Sequence, residues 1–75
     1  MEIYYSNNEL YVEVNDRLNT SLINRLERKL SIILNTYNVE KINISIQSSN
    51  IINYNSLDRV VDELNKKYNC IFIVK

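Results

Sequence analysis

An α/β two-layer sandwich, a four-stranded mixed sheet with two helices on one face, is the fold this sequence of 75 residues predicts. Three observations carry the prediction. Residues 41–47, Lys-Ile-Asn-Ile-Ser-Ile-Gln, alternate apolar and polar without a break, as a strand with one buried face does. Two longer segments, about 20–36 and 56–68, place their apolar residues at helical spacing. Residues 2–5, 10–14 and 70–74 are rich in β-branched and aromatic residues. Read in order, these give β-β-α-β-α-β as one domain over residues 1–75, with no linker or repeat.

The first two strands are Glu-Ile-Tyr-Tyr and Leu-Tyr-Val-Glu-Val, joined through Ser6, Asn7, Asn8 and Glu9. Asn tolerates positive φ, so Asn7-Asn8 can turn a hairpin without Gly. Leu10, Val12 and Val14 then share one face, and Tyr11 and Glu13 the other. Helix one begins after Asn19 as N-cap, with Leu18 and Ile23 placed for a hydrophobic staple. Its buried stripe is Leu22, Leu26, Leu30, Ile33, Leu34 and Tyr37, widened by Ile23 and Ile32. An Asn between 35 and 38, in the left-handed region that Gly usually fills, is expected to stop it.

In the third strand Ile42, Ile44 and Ile46 point in, and Asn43, Ser45 and Gln47 point out. A strand covered on both faces would not be polar at every second position, so helices cover one face only. Helix two buries Leu57, Val60, Val61, Leu64 and Tyr68; Asn53 or Asn55 caps it and Asn69 ends it. Asp62–Lys66 and Glu63–Lys67 are i,i+4 pairs of the favourable orientation. The last strand, Cys-Ile-Phe-Ile-Val, is apolar on both faces. Right-handed crossovers make strands two, three and four mutually parallel, with strand one antiparallel to strand two.

Composition excludes much chemistry. The chain has no Gly, Pro, His or Trp, and one Cys. Without Gly there is no phosphate-cradling Gly loop and no nucleophile elbow. Without His the commonest general base, the Ser-His and Cys-His pairs and most zinc sites are missing. The expectation is a chain that is not an enzyme and holds no metal or cofactor. No apolar run is long enough for a membrane span, and the N-terminus lacks a basic leader, so a cytoplasmic protein is expected. A single thiol fits a reducing compartment. Thirteen Asn and eleven Ile, both encoded by A/T-rich codons, point to a low-GC genome. With the small size, that is compatible with a phage or mobile-element regulator.

Nine basic and nine acidic residues cancel, which does not suit a polyanion-binding chain. Their distribution is uneven. Residues 1–16 carry Glu2, Glu9, Glu13 and Asp16 and no basic side chain. Arg25, Arg28 and Lys29, with Arg17 nearby, give helix one a basic face. That face could meet nucleic acid, with Tyr4 and Tyr11 for stacking, but Glu27 interrupts it. A solvated helix face is favoured, and an acidic patch on a protein partner comes second. Glu9, Glu13 and Asp16 lack the spacing of a two-carboxylate or metal site. Cys70 has no basic neighbour and reads as a small buried hydrophobe.

Ser56 sits near the start of helix two, where a phosphate would meet the helix dipole and free N–H groups. Here the chain resembles the STAS family, small modules that bind protein partners and are often switched by serine phosphorylation. The likeness lies in the order of elements over nearly the whole chain and in Asn55-Ser56-Leu57-Asp58, set against the family's Asp-Ser-(Ser/Thr)-Gly. It implies a phospho-switch with Ser56 as the modified residue. The residue by itself reads as a helix-capping serine.

The expectation for function is therefore a non-catalytic regulator or inhibitor that occupies a surface on a larger protein. The second is a STAS-like phospho-switch; an enzyme built on carboxylates and a nucleic-acid module using the basic face of helix one are distant alternatives. If Phe72 points to the helices, Ile71 and Ile73 point to the open face of the sheet. Tyr11 and either Tyr4 or Tyr5 join them there. An apolar stripe among polar neighbours is the pattern of an interaction surface, through which a protein partner or a homodimer forms. The competing arrangement has residues 48–53 fold over it with Ile51 or Ile52.

Overall fold

A computed structural model of the chain describes residues 1–47 and 54–74. Its elements are β1 (Glu2–Ser6), β2 (Glu9–Val14), α1 (Thr20–Thr36), β3 (Lys41–Ile46), α2 (Tyr54–Lys67) and β4 (Ile71–Val74). The four strands form one sheet in the order β1-β2-β3-β4. β1 is antiparallel to β2, and β2, β3 and β4 are mutually parallel. This is the mixed sheet with two helices that the alternation and the two helical stripes predict.

The hairpin closes as the two asparagines require. Ser6 pairs with Glu9, leaving Asn7 and Asn8 as a two-residue turn with φ of 52° and 63°. Two consecutive positive φ values define the turn whose twist matches that of the flanking strands. Asn is the non-glycine residue that accepts them most readily. The Asn8 carbonyl then accepts a hydrogen bond from the Glu40 N–H at 2.8 Å, which ties the turn to the start of β3.

α1 starts where the cap places it. The Asn19 side chain accepts from the Leu22 N–H at 2.8 Å, and Leu18 and Ile23 are both buried, as a staple requires. Its end differs from expectation. Tyr37 caps it in extended conformation with φ of −116°, and its N–H bonds back to the Ile33 carbonyl. No asparagine there turns left-handed, because an extended cap already carries the chain towards β3. Tyr37 therefore leaves the buried stripe and lies exposed, its ring 5.2 Å from that of Tyr5. Ile32 is also exposed, at 61%. The buried face is narrower than expected: Leu22, Ile23, Leu26 and Leu30 are buried, and Ile33 and Leu34 pack partly buried against the core.

α2 begins earlier than the apolar spacing indicates. Asn55 lies inside its first turn and is not its cap, and Ser56 is likewise within the helix. Asn53 and the rest of the 48–53 segment lie outside the described residues. Leu57, Val60 and Leu64 are buried, and Val61 and Tyr68 are partly so. The pairs Asp62–Lys66 and Glu63–Lys67 do not close to contact among the described residues, so the expected stabilisation falls to long-range attraction.

The core is one cluster. Leu10, Val12 and Val14 of β2, with Ile42 and Ile44 of β3, pack under Leu22, Leu26, Leu30, Leu57, Val60 and Leu64. The register aligns Leu10 with Ile42, Val12 with Ile44, and Ile42 with Phe72, so one parity of every strand faces the helices. The other parity faces away from them. α1 borders the β1 side, where Ile32 and Ile33 line a groove with Met1 and Ile3. α2 borders the β4 side, where Val61 and Asn65 line a groove with Cys70 and Phe72.

Candidate functional site

Strand pleating carries the residues of the open face. Directly opposed side chains on neighbouring strands stand together, so the register defines three rows across the sheet. The middle row is Tyr4, Tyr11, Asn43 and Ile73. On one side lie Ser6, Glu9, Lys41 and Ile71, and on the other Glu2, Glu13 and Ser45. Tyr4, not Tyr5, joins Tyr11. Tyr5 has the opposite parity, and its hydroxyl donates to the Asn38 carbonyl at 2.8 Å. Phe72 packs against the core, so Ile71 and Ile73 take the open side.

These side chains are accessible. Tyr4, Tyr11 and Ile71 are exposed, Ile71 to 64%, and Ile73 is half-buried. They surround an open depression of about 320 Å³ lined by Tyr4, Tyr11, Glu13, Asn43, Ser45 and Ile73. Asn43 forms the floor. Its amide donates to Glu9 Oε1 at 3.2 Å and lies 3.4 Å from the Leu10 carbonyl, so it is fixed to the strand beside it. The depression opens to solvent on the side of the sheet away from the helices.

Its field is negative. Glu2 and Glu13 stand directly opposite across the β1–β2 pair, an arrangement that repels. The Tyr4 hydroxyl donates to Glu2 Oε2 at 3.4 Å. The charge of Glu13, then lost hydration, then Glu2 hold the Tyr4 phenol above its ordinary range. Among the described residues no cation stands within 4.0 Å of Glu2, Glu9 or Glu13. Lys41, the one cation of these rows, neighbours Glu9.

The other candidates lie elsewhere. Arg25, Arg28 and Lys29 are exposed on α1, in the helix layer, so the two groups of candidate residues do not share a surface. Ser56 is half-buried in the first turn of α2. Cys70 is buried just before β4, and burial raises its thiol above the usual range, so it is protonated at neutral pH and a poor nucleophile. Among the described residues no three acidic, Cys or His side chains converge as metal ligands would. No helix of the described residues is long and apolar enough to cross a membrane.

The acidic pairing around Tyr4 is the feature that periodicity in the sequence does not reveal. Glu2 and Glu13 are eleven positions apart, and only the hairpin register brings them together. A signal for it exists: with Asn7-Asn8 as a two-residue turn, Glu2 and Glu13 fall opposite by counting outward. No protein-family model matches the chain, and no curated protein or solved structure matches it either.

Proposed function

We propose that this chain is a non-catalytic binding module, a small regulator or inhibitor that occupies a surface on a larger protein through the open face of its sheet. The reading rests on one observation: the row Tyr4, Tyr11 and Ile73, extended by Ile71, faces away from the helices and lies beside Glu2 and Glu13, which have no cation within 4.0 Å among the described residues. Exposed tyrosines offer large, rigid and amphipathic contact area at low entropic cost. The carboxylates specify the partner's chemistry: an apolar patch with Lys or Arg at its rim.

A photo-crosslinking residue at position 11, in cells that express the chain natively, tests this. The same residue at Asn24, exposed on α1, is the control. The expected result is one larger protein joined at position 11, not at 24, and its loss in a folded Tyr4→Ser/Tyr11→Ser variant. Retention of that partner by the folded variant, or crosslinking of position 11 only to a second copy of the chain, would overturn the reading.

A further inference from the structure

A second apolar surface lies between α1 and β1, on the helix side of the sheet. Met1, Ile3, Lys29, Ile32 and Ile33 line an open groove of about 360 Å³ there. Met1, Ile3 and Ile33 are half-buried, and Ile32 is 61% exposed. Single exposed apolar residues are ordinary, but four that share one groove form a patch.

Lys29 brings charge to that patch. A helix turns about 100° per residue, so Arg25 stands one turn before Lys29 on the same flank of α1, and Arg28 one turn before Ile32. All three cations are exposed, with no carboxylate within 4.0 Å among the described residues. The acids near them in sequence face elsewhere. Glu27 is two residues from Lys29, about 200° around the helix, and so lies on the other flank. Glu2 stands opposite Glu13 on the open face. Asp16 lies at the Met1 end of the groove, 3.9 Å from the Met1 nitrogen.

We propose that this groove takes a short amphipathic helix of another protein. Its apolar side chains seat on Ile3, Ile32 and Ile33, and its Asp or Glu residues meet Arg25, Arg28 and Lys29. Recognition of this kind takes anchors at i, i+3, i+4 and i+7 from one helix face. An added strand suits the groove less well, because every second side chain would fall on the open face, away from the cations. Nucleic acid would meet the cations but leave the apolar groove wet, and no aromatic ring lines it for a base to stack on. A second copy does not supply the helix, since the apolar stripes of α1 and α2 are buried in its own core. The inference goes beyond the reading of the open face, because the two surfaces share no residue.

Titration of the ¹⁵N,¹³C-labelled full chain with three synthetic helical peptides tests it. One carries Leu at i, i+3, i+4 and i+7 with Glu between, the second has Lys in place of Glu, and the third has Ala in place of Leu. The Leu-Glu peptide should shift the Ile3, Ile32 and Ile33 methyls and bind about tenfold more tightly than either of the others. Ile32→Ser changes an exposed side chain, so it should stay folded and lose about tenfold in affinity. Arg25→Glu/Lys29→Glu should reverse the preference between the Leu-Glu and Leu-Lys peptides. The Tyr4→Ser/Tyr11→Ser variant should bind the Leu-Glu peptide as the parent does, which separates this inference from the open face. Silent Ile3, Ile32 and Ile33 methyls, equal affinity for the Leu-Glu and Ala-Glu peptides, full binding by folded Ile32→Ser or an unchanged preference in the charge-reversed variant would overturn the proposal. So would tighter binding of a single-stranded oligonucleotide or an anionic phosphatidylserine vesicle at the same methyls. Self-association that perturbs the Ile32 methyl, or nuclear Overhauser contacts in the free chain between Ile32 and residues 48–53, would also overturn it.

Discussion

Glu13 illustrates how a single side chain can act against the fold that holds it. It faces Glu2 across the hairpin and, with it, disfavours ionisation of Tyr4. Like charges opposed on paired strands cost roughly 0.2–1 kcal/mol. Glu13→Gln should therefore raise the urea midpoint by about that equivalent while weakening partner association. A lower midpoint would mean that Glu13 makes a stabilising contact instead. Cys70 gives a pH signature. Its folded pKa lies above the unfolded value of 9.0, because burial penalises the thiolate. Below pH 9.0 its contribution to stability is fully present, and it is lost as pH rises through the folded value. Urea midpoints should fall above that pH, and Cys70→Val should flatten part of the decline. The Tyr4 shift has the same sign, so some alkaline loss should survive that substitution.

The turns and caps place the elements with few residues. Asn8 holds a φ of 63° without glycine's freedom, and a left-handed conformation costs a β-branched residue roughly 1–2 kcal/mol. Asn8→Val should destabilise by about that amount, and Asn8→Gly by clearly less, as thermal melts of the two variants can measure. The same hairpin sets the register, so a forced change at Asn8 would also disturb the row of Tyr4 and Tyr11. Asn19 acts at the other junction. Its side chain satisfies the Leu22 N–H, a cap of a kind worth typically about 1 kcal/mol.

Across the molecule, one layer of helices covers one layer of sheet, and the total stability expected at this size is about 4–11 kcal/mol. A buried unpaired charge consumes much of that. Ile44 is buried at the centre of β3, next to Val12 on one side and Val74 on the other. Ile44→Asp should unfold the chain. Asn43→Asp, one residue along and facing outward, should cost about 1 kcal/mol through loss of its donated bonds and leave the chain folded. Circular dichroism melts decide this, and two variants that both melt like the parent would show the strand register to be wrong. The net charge of zero conceals a separation: carboxylates line the open sheet face, and Arg25, Arg28 and Lys29 lie on the helix layer. Orientation of a partner by such a field weakens as salt rises.

Much of this architecture is legible in the amino-acid sequence by itself. The alternation of Ile42, Ile44 and Ile46, the staple of Leu18 with Ile23 and the Asn7-Asn8 turn are local patterns. Each depends on residues a few positions apart, so backbone geometry alone turns them into strand, helix start and hairpin. From them follow the element order, the one-sided sheet and the outward placement of Tyr11, Ile71 and Ile73. The exposure of Ile32 and Tyr37 is not legible there, because both obey the helical period and only the actual path of α1 across the sheet leaves them uncovered. Nor is the place of β4 at the end of the sheet, whereas the choice of Tyr4 over Tyr5 and the opposition of Glu2 and Glu13 follow from the Asn7-Asn8 turn by counting outward. Periodicity states which side chains can share a face. Which faces meet and which strand comes last depend on contacts between distant segments, and tertiary packing alone decides those.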